Sequence, residues 1–283
     1  MIRSFYRLFF LFAFCCASLQ AQSALDYQEE DQRLFEAMVD RLQSSATLQG
    51  PTSERLIALG KTFLGTPYVA KTLEQEGDEQ VVLNLRGLDC TTYIENVLAF
   101  DRLFQNKQSA LEEFGQQLEY IRYRNGQLQG YSSRLHYFTD WIRNNEQKGL
   151  IKNMTAALGG VEEERAINFM GTHPQYYPQL SAESEVKKIR KTEETLSKEA
   201  FCYIPLDQIE GIEQQIASGD ILALVTSIKG LDVTHTGFAI WQGEQLHLMH
   251  ASTSGEVVIS KKPLREYLKG IKKNMGILVV RPL

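Results

Sequence analysis

One cysteine of this 283-residue chain stands at the predicted start of a helix, and two histidines follow far downstream. Cys90 comes directly after the polar turn Gly87–Asp89, where an amphipathic segment begins. The N-terminus of a helix offers unpaired N–H groups and a partial positive charge, which stabilise a reactive thiolate. His235 opens an apolar segment 145 positions later, and His250 follows in the next one. A cysteine, a histidine and a polar orienting residue are the groups of a papain-like nucleophile.

A predicted hairpin brings these two histidines to one face of a sheet. With strands over 234–241 and 244–252 and a two-residue turn at Gln242-Gly243, His235 lies directly opposite His250. His247 then lies on the other face, because side chains alternate along a strand. A three-residue turn would exchange the two faces. The pattern predicts His235 as the general base, His250 as the group that fixes its tautomer, and the Cys90 N–H as an oxyanion donor.

The same residue types also allow less specific interpretations. A single cysteine on an apolar helix is usually a core residue, and a single strand histidine is usually structural. Cys90, His235 and His250 are also residue types that bind zinc. Because the sequence contains no close C-x-x-C or H-x-x-x-H pair, zinc is the weaker alternative. We therefore predict neither a metal nor another cofactor.

The beginning of the chain has the pattern of a secretory signal peptide. Residues 1–23 contain a basic start, an apolar run over 8–17 and small residues before a cleavage site near Ala21 or Ala24. The apolar run is shorter than the roughly 20 residues that a membrane span needs. The sequence predicts a protein exported to the periplasm, without stable insertion in the membrane.

The charge of the chain argues against a polyanionic partner. Loss of two basic residues, Arg3 and Arg7, and no acidic one with the signal peptide changes the net charge from −5 to −7. An acidic protein without a block of lysines and arginines is a poor candidate for binding nucleic acid or a membrane surface. We predict no nucleic-acid partner.

The cysteines do not form a disulfide framework. Cys15 and Cys16 lie in the signal region, and the residues before them are too large for the usual lipid-attachment signal. The mature chain keeps Cys90 and Cys202, and a bridge between them would consume the proposed nucleophile. We expect two free thiols.

Hydrophobic periodicity predicts an α+β fold for residues 24–283, in a single domain. Helices are expected over 26–64 and after Cys90, with a short strand near 81–85 between them. Residues from about 105 to 200 are polar and mostly helical by pattern, and we interpret them as an insertion. Apolar segments joined by tight turns then predict an antiparallel sheet, with strands over 221–225, 234–241, 246–250, 256–260 and 276–281.

Several motifs together resemble the NlpC-type cell-wall cysteine hydrolases. They are Gly65-Thr66-Pro67-Tyr68, Leu88-Asp89-Cys90-Thr91-Thr92, Ser218-Gly219-Asp220-Ile221, His235-Thr236-Gly237-Phe238-Ala239-Ile240 and His250-Ala251-Ser252. The resemblance implies a circularly permuted papain-like core. It also implies catalytic roles for Cys90, His235 and His250, in agreement with the hairpin argument.

Further motifs resemble one branch, the N-acetylmuramoyl-L-alanine amidase-like proteins, formerly a domain of unknown function. These motifs are Ser133-Arg134-Leu135-His136-Tyr137, Phe169-Met170 and Gly230-Leu231-Asp232-Val233-Thr234-His235. The resemblance implies cleavage of the amide between N-acetylmuramic acid and L-alanine, notably in anhydro-muropeptides. The insertion, which ordinary stem-peptide hydrolases lack, would recognise the muramyl sugar. The residues expected to contact substrate are Tyr68, Asp89, Ser133, Arg134, His136, Tyr137 and Thr234.

Two other functions stay open at this point. The same chemistry could cleave the γ-D-glutamyl-diaminopimelate bond within the stem peptide. A non-catalytic protein that binds wall fragments is the third alternative. In each case the predicted partner is a peptidoglycan fragment, and the sequence leaves the oligomeric state open.

Overall fold

The computed structural model describes residues 25–43, 45–75 and 77–283. Its helices are α1 Glu29–Leu42, α2 Thr52–Thr62, α3 Cys90–Gln105, α4 Leu111–Arg122, α5 Phe138–Gln147, α6 Phe169–Thr172, α7 Glu183–Ser197, α8 Ile209–Ile212 and α9 Leu264–Lys269. Its strands are β1 Leu25–Asp26, β2 Val81–Val82, β3 Ile151–Asn153, β4 Val161–Glu163, β5 Phe201–Pro205, β6 Ile221–Thr226, β7 Val233–Gln242, β8 Gln245–Ala251, β9 Val257–Ile259 and β10 Asn274–Pro282.

An eight-stranded antiparallel sheet forms the centre of the fold. The strands follow the order β4-β5-β10-β6-β7-β8-β9. On one edge β10 pairs with β6, while on the other edge it pairs with β5 at one end and with β3 at the other. Helices and an antiparallel sheet confirm the predicted α+β class, and every strand expected after residue 220 is present within a few residues.

Helices cover both faces of this sheet, which explains why its central strands are apolar on both sides. All six residues of β6 are buried. Ile221, Ala223 and Val225 face the core that contains α1 to α5, and Leu222 and Leu224 face the core that contains α8 and α9. A strand buried on both faces needs a continuous apolar run rather than alternation.

The helix that begins at Cys90 is the most deeply buried of the helices described. Eleven of its sixteen residues are buried. Tyr93 lies edge-on against Phe238 of β7, with ring centroids 5.7 Å apart, and edge-on against Phe63 just beyond α2. This packing fixes the start of α3 against the strand that carries His235.

The stretch 105–200 is mostly helical as expected, but it also supplies two strands to the sheet. β3 pairs with β10, and β4 pairs with β5. The polar composition of Ile151–Asn153 and Val161–Glu163 concealed these strands, because most of their residues face solvent at the sheet edge. A third apolar cluster, centred on α7, holds the rest of the stretch together.

The predicted signal peptide, residues 1–23, lies outside the described residues. Within the residues that are described, none of the helices is both long enough and apolar enough to span a bilayer.

Candidate active site

Asp89 caps the helix whose first residue is Cys90. Its carboxylate oxygen Oδ1 accepts hydrogen bonds from the backbone N–H groups of Thr91, at 3.0 Å, and Thr92, at 2.8 Å. The Thr92 hydroxyl accepts the backbone N–H of Asp89 at 2.9 Å, which completes a capping box. The carboxylate thus holds the helix terminus in place, and the expected contact of Asp89 with substrate stays a prediction.

Thr236 connects Cys90 to β7. The Thr236 hydroxyl donates to the backbone carbonyl of Cys90 at 2.9 Å, although the residues are 146 positions apart. His235 directly precedes Thr236 in the chain. Because consecutive Cα atoms are about 3.8 Å apart, the backbone of His235 lies next to the residue that contacts Cys90. The N–H of Cys90 makes no hydrogen bond to any of the described residues, as expected for the first turn of a helix.

The Cys90 thiol differs from the expectation in its ionisation. Cys90 is a free cysteine that keeps partial solvent exposure. Burial of the sulfur by surrounding protein atoms raises its pKa to about 11, and the Asp89 carboxylate adds to the rise. Hydrogen bonds from Thr236 and Thr91 favour the thiolate but do not compensate for the lost hydration. The thiol therefore does not have the low pKa that was predicted from the helix terminus alone.

The two predicted histidines are hydrogen-bonded to each other. His235 Nε2 lies 2.6 Å from His250 Nδ1, and the two rings are nearly perpendicular, at 89°. Only one of these two nitrogens can carry the shared proton. When His235 Nε2 carries it, His235 Nδ1 is unprotonated and can act as a base.

The hairpin register differs from the prediction by one position on each strand. The two shifts together leave each histidine on the face that was predicted for it. The turn is at Gly243-Glu244, because β7 extends to Gln242, and Gly243 adopts the positive φ of +61° that glycine tolerates. His250 therefore lies opposite Gly237, and His235, two residues before Gly237, is the diagonal neighbour of His250. Because side chains alternate between the two faces of a sheet, a displacement of two residues leaves His235 and His250 on the same face, and their rings still meet.

Burial keeps both imidazoles neutral. It lowers the pKa of His235 to about 4 and that of His250 to about 3, and the pKa of His250 is lowered further by its neighbour His235. A neutral imidazole is the form that can accept the thiol proton. With the thiol pKa at about 11 and the His235 pKa at about 4, the resting pair is thiol and imidazole rather than thiolate and imidazolium.

Zinc binding was the other interpretation of the same three residues. In residues 25–43, 45–75 and 77–283, no group of three or more His, Cys, Asp or Glu side chains is arranged to hold an ion. The facing nitrogens of His235 and His250 are occupied by their mutual hydrogen bond.

Tyr267 on α9 is a site residue that the sequence analysis missed. Its ring lies edge-on to His250, with centroids 5.2 Å apart, and the charge of the Cys90 thiolate contributes to the raised pKa of its hydroxyl after burial. An aromatic residue in a short helix is more often a core residue, so no signal in the chain distinguished Tyr267 from its neighbours. Thr236 was missed as well, because nothing in the chain distinguishes it from other strand threonines.

Tyr68, another residue expected to contact substrate, lies close enough to Cys90 and Asp89 for their charges to act on its hydroxyl. Burial raises the pKa of its hydroxyl, with further contributions from the charges of Cys90 and Asp89. Its backbone N–H donates to the carbonyl of Gly255 at 2.7 Å, which places it beside the loop that joins β8 and β9. Thr234, another predicted contact, is exposed next to His235.

Arg134, predicted to bind substrate, has both terminal nitrogens of its guanidinium hydrogen-bonded inside the protein. The residue is 4% exposed, and it donates to the Leu73 carbonyl at 2.8 Å and to Glu74 at 2.6 Å. Glu79 lies 3.3 Å from its Nε. Arg134 thus fixes the loop that follows Tyr68, and its direct contact with a ligand stays a prediction.

The residues around Arg134 are engaged in a similar way. The Ser133 hydroxyl donates to the Gly130 carbonyl at 2.6 Å, and His136 Nε2 lies 2.8 Å from the Tyr131 carbonyl. The Tyr137 hydroxyl donates to Glu193 of α7 at 2.7 Å and accepts the Met170 N–H at 2.9 Å. These side chains are held by internal hydrogen bonds, and their contact with a ligand stays a prediction.

A model of a known protein family matches most of the chain. The model of the N-acetylmuramoyl-L-alanine amidase-like family matches residues 58–277, a range that includes Cys90, both histidines and Tyr267. The chain belongs to this family.

Solved structures of similar proteins include two from Bacteroides. An N-acetylmuramoyl-L-alanine amidase from Bacteroides uniformis is 39% identical, with a TM-score of 0.78, and the match covers 83% of this chain and 100% of the other. A Bacteroides fragilis protein described as a candidate xylanase is 40% identical, with a TM-score of 0.75 and coverage of 79% and 99%. A Legionella pneumophila protein, 22% identical with a TM-score of 0.68 over 90% and 96%, shares the fold. No curated protein matches this chain.

A groove of about 710 Å³ opens beside His250 in this amidase-like chain. His250 and Tyr267 line one end of it, and the loop that contains Ser252 and Ser254 lines another part. Lys261 and Lys262, which follow β9, complete the lining together with neighbouring residues of β9.

Proposed function

We propose that this protein is a cysteine amidase that hydrolyses the bond between N-acetylmuramic acid and L-alanine in peptidoglycan fragments. The observation that carries the proposal is the His235–His250 hydrogen bond of 2.6 Å, formed beside Thr236, which contacts the residue at the start of α3. Membership of an amidase-like family supports the bond type.

In the proposed first step, His235 takes the proton of the Cys90 thiol as the sulfur attacks the lactyl carbonyl carbon. The neutral His235 can accept this proton at Nδ1 only when its Nε2–H donates to His250. The new carbon–sulfur bond leaves a negative charge on the carbonyl oxygen. The N–H of Cys90, which has no partner among the described residues, can donate to that oxygen, and the helix terminus favours its charge.

In the second step the carbon–nitrogen bond breaks, and the L-alanine nitrogen takes the proton from His235. The stem peptide departs as an amine, which leaves a thioester between Cys90 and the muramyl lactyl group. A water molecule, deprotonated by His235, then hydrolyses the thioester and restores the thiol. The thiol proton therefore departs with the amine, and a proton of the water molecule, passed on by His235, replaces it on the sulfur.

The relationship to papain-like enzymes belongs to the same proposal. Its support is a cysteine at the first position of a buried helix, next to an antiparallel sheet whose neighbouring strands supply the two histidines. Export to the periplasm, where peptidoglycan fragments occur, is proposed from the signal pattern of residues 1–23.

Product analysis tests the bond that is cleaved. Purified enzyme would be incubated with anhydro-muropeptides and the products identified by mass spectrometry. We expect intact disaccharide and intact stem peptide. Fragments cut only between γ-D-glutamate and diaminopimelate would establish the endopeptidase instead. Release of xylo-oligosaccharides from xylan would indicate a xylanase, the activity in the description of the Bacteroides fragilis relative.

Cysteine variants test the mechanism, and the chain supplies its own control. Cys90→Ala should reduce turnover to background, because the nucleophile is lost. Cys202→Ala removes the second described cysteine, which lies on β5, and should keep wild-type turnover. Wild-type turnover in both variants would reject catalysis by Cys90. Binding of muropeptide without turnover in the wild type would indicate a binding protein.

A further inference from the structure

The groove beside His250 carries an excess of positive charge. Lys261 and Lys262 are exposed lining residues, and neither forms an ion pair with any carboxylate in the described part of the chain. Among the described residues that line the groove, one is acidic, Glu256, whose backbone bridges to Pro67. The two ammonium groups therefore exceed the single carboxylate.

The lysine pair is held at a fixed place relative to the catalytic pair. The Ser260 hydroxyl accepts the Leu248 N–H at 3.1 Å and donates to the Lys262 carbonyl at 2.8 Å, which ties the lysine segment to β8. Val258 pairs with His250 across the strands, and Lys261 follows Val258 by three residues. Three residues span at most about 10 Å.

The position of this groove fits the leaving group. His235 delivers the proton to the departing nitrogen, so the leaving amine lies on the imidazole side of the nucleophile. His250, whose ring is hydrogen-bonded to His235, is one of the residues that line the groove. The muramyl sugar is uncharged, because its lactyl carboxyl forms the amide. The stem peptide carries a free carboxylate on its γ-linked glutamate and others on diaminopimelate.

Resting on the proposed amidase function, we infer that this groove is the subsite for the stem peptide, with Lys261 and Lys262 binding its carboxylates. The glutamyl carboxylate lies one residue beyond the L-alanine nitrogen, a separation of roughly 4–7 Å along an extended chain. A flexible lysine side chain reaches the remaining distance and recognises a carboxylate as a point charge. The lysines thus select acidic stems over neutral ones.

A binding experiment separates this inference from catalysis. Calorimetry would measure the affinity of L-alanyl-γ-D-glutamyl-diaminopimelate, and of the same peptide with its carboxylates amidated, for the Cys90→Ala enzyme. We expect the acidic peptide to bind about threefold to tenfold more tightly, a range typical of two exposed ion contacts. The preference should decrease at high salt, because exposed charges are screened.

Two double variants assign the preference to this groove. K261Q/K262Q should remove the discrimination between acidic and amidated peptide. K272Q/K273Q neutralises another pair of consecutive exposed lysines, which precedes β10 and lies outside the groove. This variant should keep the discrimination. The same variants assayed for turnover should show the loss as an increased KM for acidic muropeptides.

The outcomes distinguish the inference from the proposed function. Disaccharide release without any preference for acidic stems would overturn the subsite and keep the amidase. Equal loss of discrimination in both double variants would also overturn it, because a general field would then be the cause. Lysine-dependent binding of the acidic peptide without turnover would keep the subsite and reject the amidase.

Discussion

At the scale of single residues, desolvation decides the resting state of the candidate site. Burial raises the pKa of Cys90 to about 11 and lowers that of His235 to about 4. The helix terminus acts in the opposite direction on the thiol, but a partial charge at the end of a helix is smaller than the lost hydration of an anionic sulfur. In the proposed mechanism the thiol proton therefore moves during the reaction rather than before it.

The acid limb of the activity profile should reflect the buried imidazole. The base is competent only when neutral, so activity is present above the His235 pKa and is lost as the pH falls through it. We expect the acid limb of kcat/KM at about pH 4, well below the usual histidine value of about 6.5. Tryptophan fluorescence over the same range controls for acid unfolding. A midpoint near the usual histidine value in folded protein would contradict the burial argument.

The orienting role of His250 predicts a graded series of variants. His250→Ala removes the acceptor of His235 Nε2–H, so the wrong tautomer becomes accessible, and kcat should fall by about 10²- to 10⁴-fold. His250→Asn restores an acceptor oxygen and should recover part of the loss. Steady-state kinetics would show the effect in kcat with little change in KM. Wild-type kcat in His250→Ala would contradict a role in positioning the base.

At the scale of elements, the β7–β8 hairpin aligns the two histidines through a close backbone approach. Gly237 faces His250 across the strands. A Cβ atom at position 237 would lie 2.8 Å from the Cβ of His250, from a methyl carbon of Leu248 and from the Met249 carbonyl. Glycine is therefore required here by space rather than by backbone conformation.

Gly237→Ala should impair catalysis by displacing His250. The added methyl group must push the His250 ring or separate the strands, and overpacking of this kind costs about 1–3 kcal/mol of stability. We expect a decrease in kcat, measured at a temperature where circular dichroism shows a folded protein. Gly211→Ala is the matched control, because a Cβ atom at position 211 would have no described neighbour within 4 Å and its φ is not in the left-handed region. Equal kcat in both variants would contradict the alignment argument.

At the scale of the whole molecule, a buried ion pair joins the stretch 105–200 to the catalytic helix. Arg122 at the end of α4 donates from Nε to Glu95 of α3 at 2.7 Å and from an Nη atom to the Val82 carbonyl at 2.7 Å. Both side chains of the pair are 2% exposed. Burial raises the pKa of Glu95, and Arg122 opposes that rise.

Breaking this pair should destabilise the entire fold. Arg122→Met leaves the Glu95 carboxylate buried without its partner, and we expect a loss of about 3–5 kcal/mol in urea unfolding. The pKa of Glu95 then rises further, so the variant should be least unstable below about pH 4 and should lose stability as the pH increases. Glu95→Gln combined with Arg122→Met removes the charge and should recover part of the loss at neutral pH. A double variant as unstable as Arg122→Met would argue against an electrostatic cause.

The sequence by itself determined which residues are the candidates for the chemistry and that the two histidines share a face. Cys90, His235 and His250 could be selected because their residue types have few other roles in this combination, and the two-residue period of strands kept the histidines together despite the wrong turn. Tertiary structure decided the ionisation of the thiol, the internal engagement of Arg134 and the place of Tyr267. These properties depend on which atoms of distant segments exclude water or supply partners, and no local pattern encodes that.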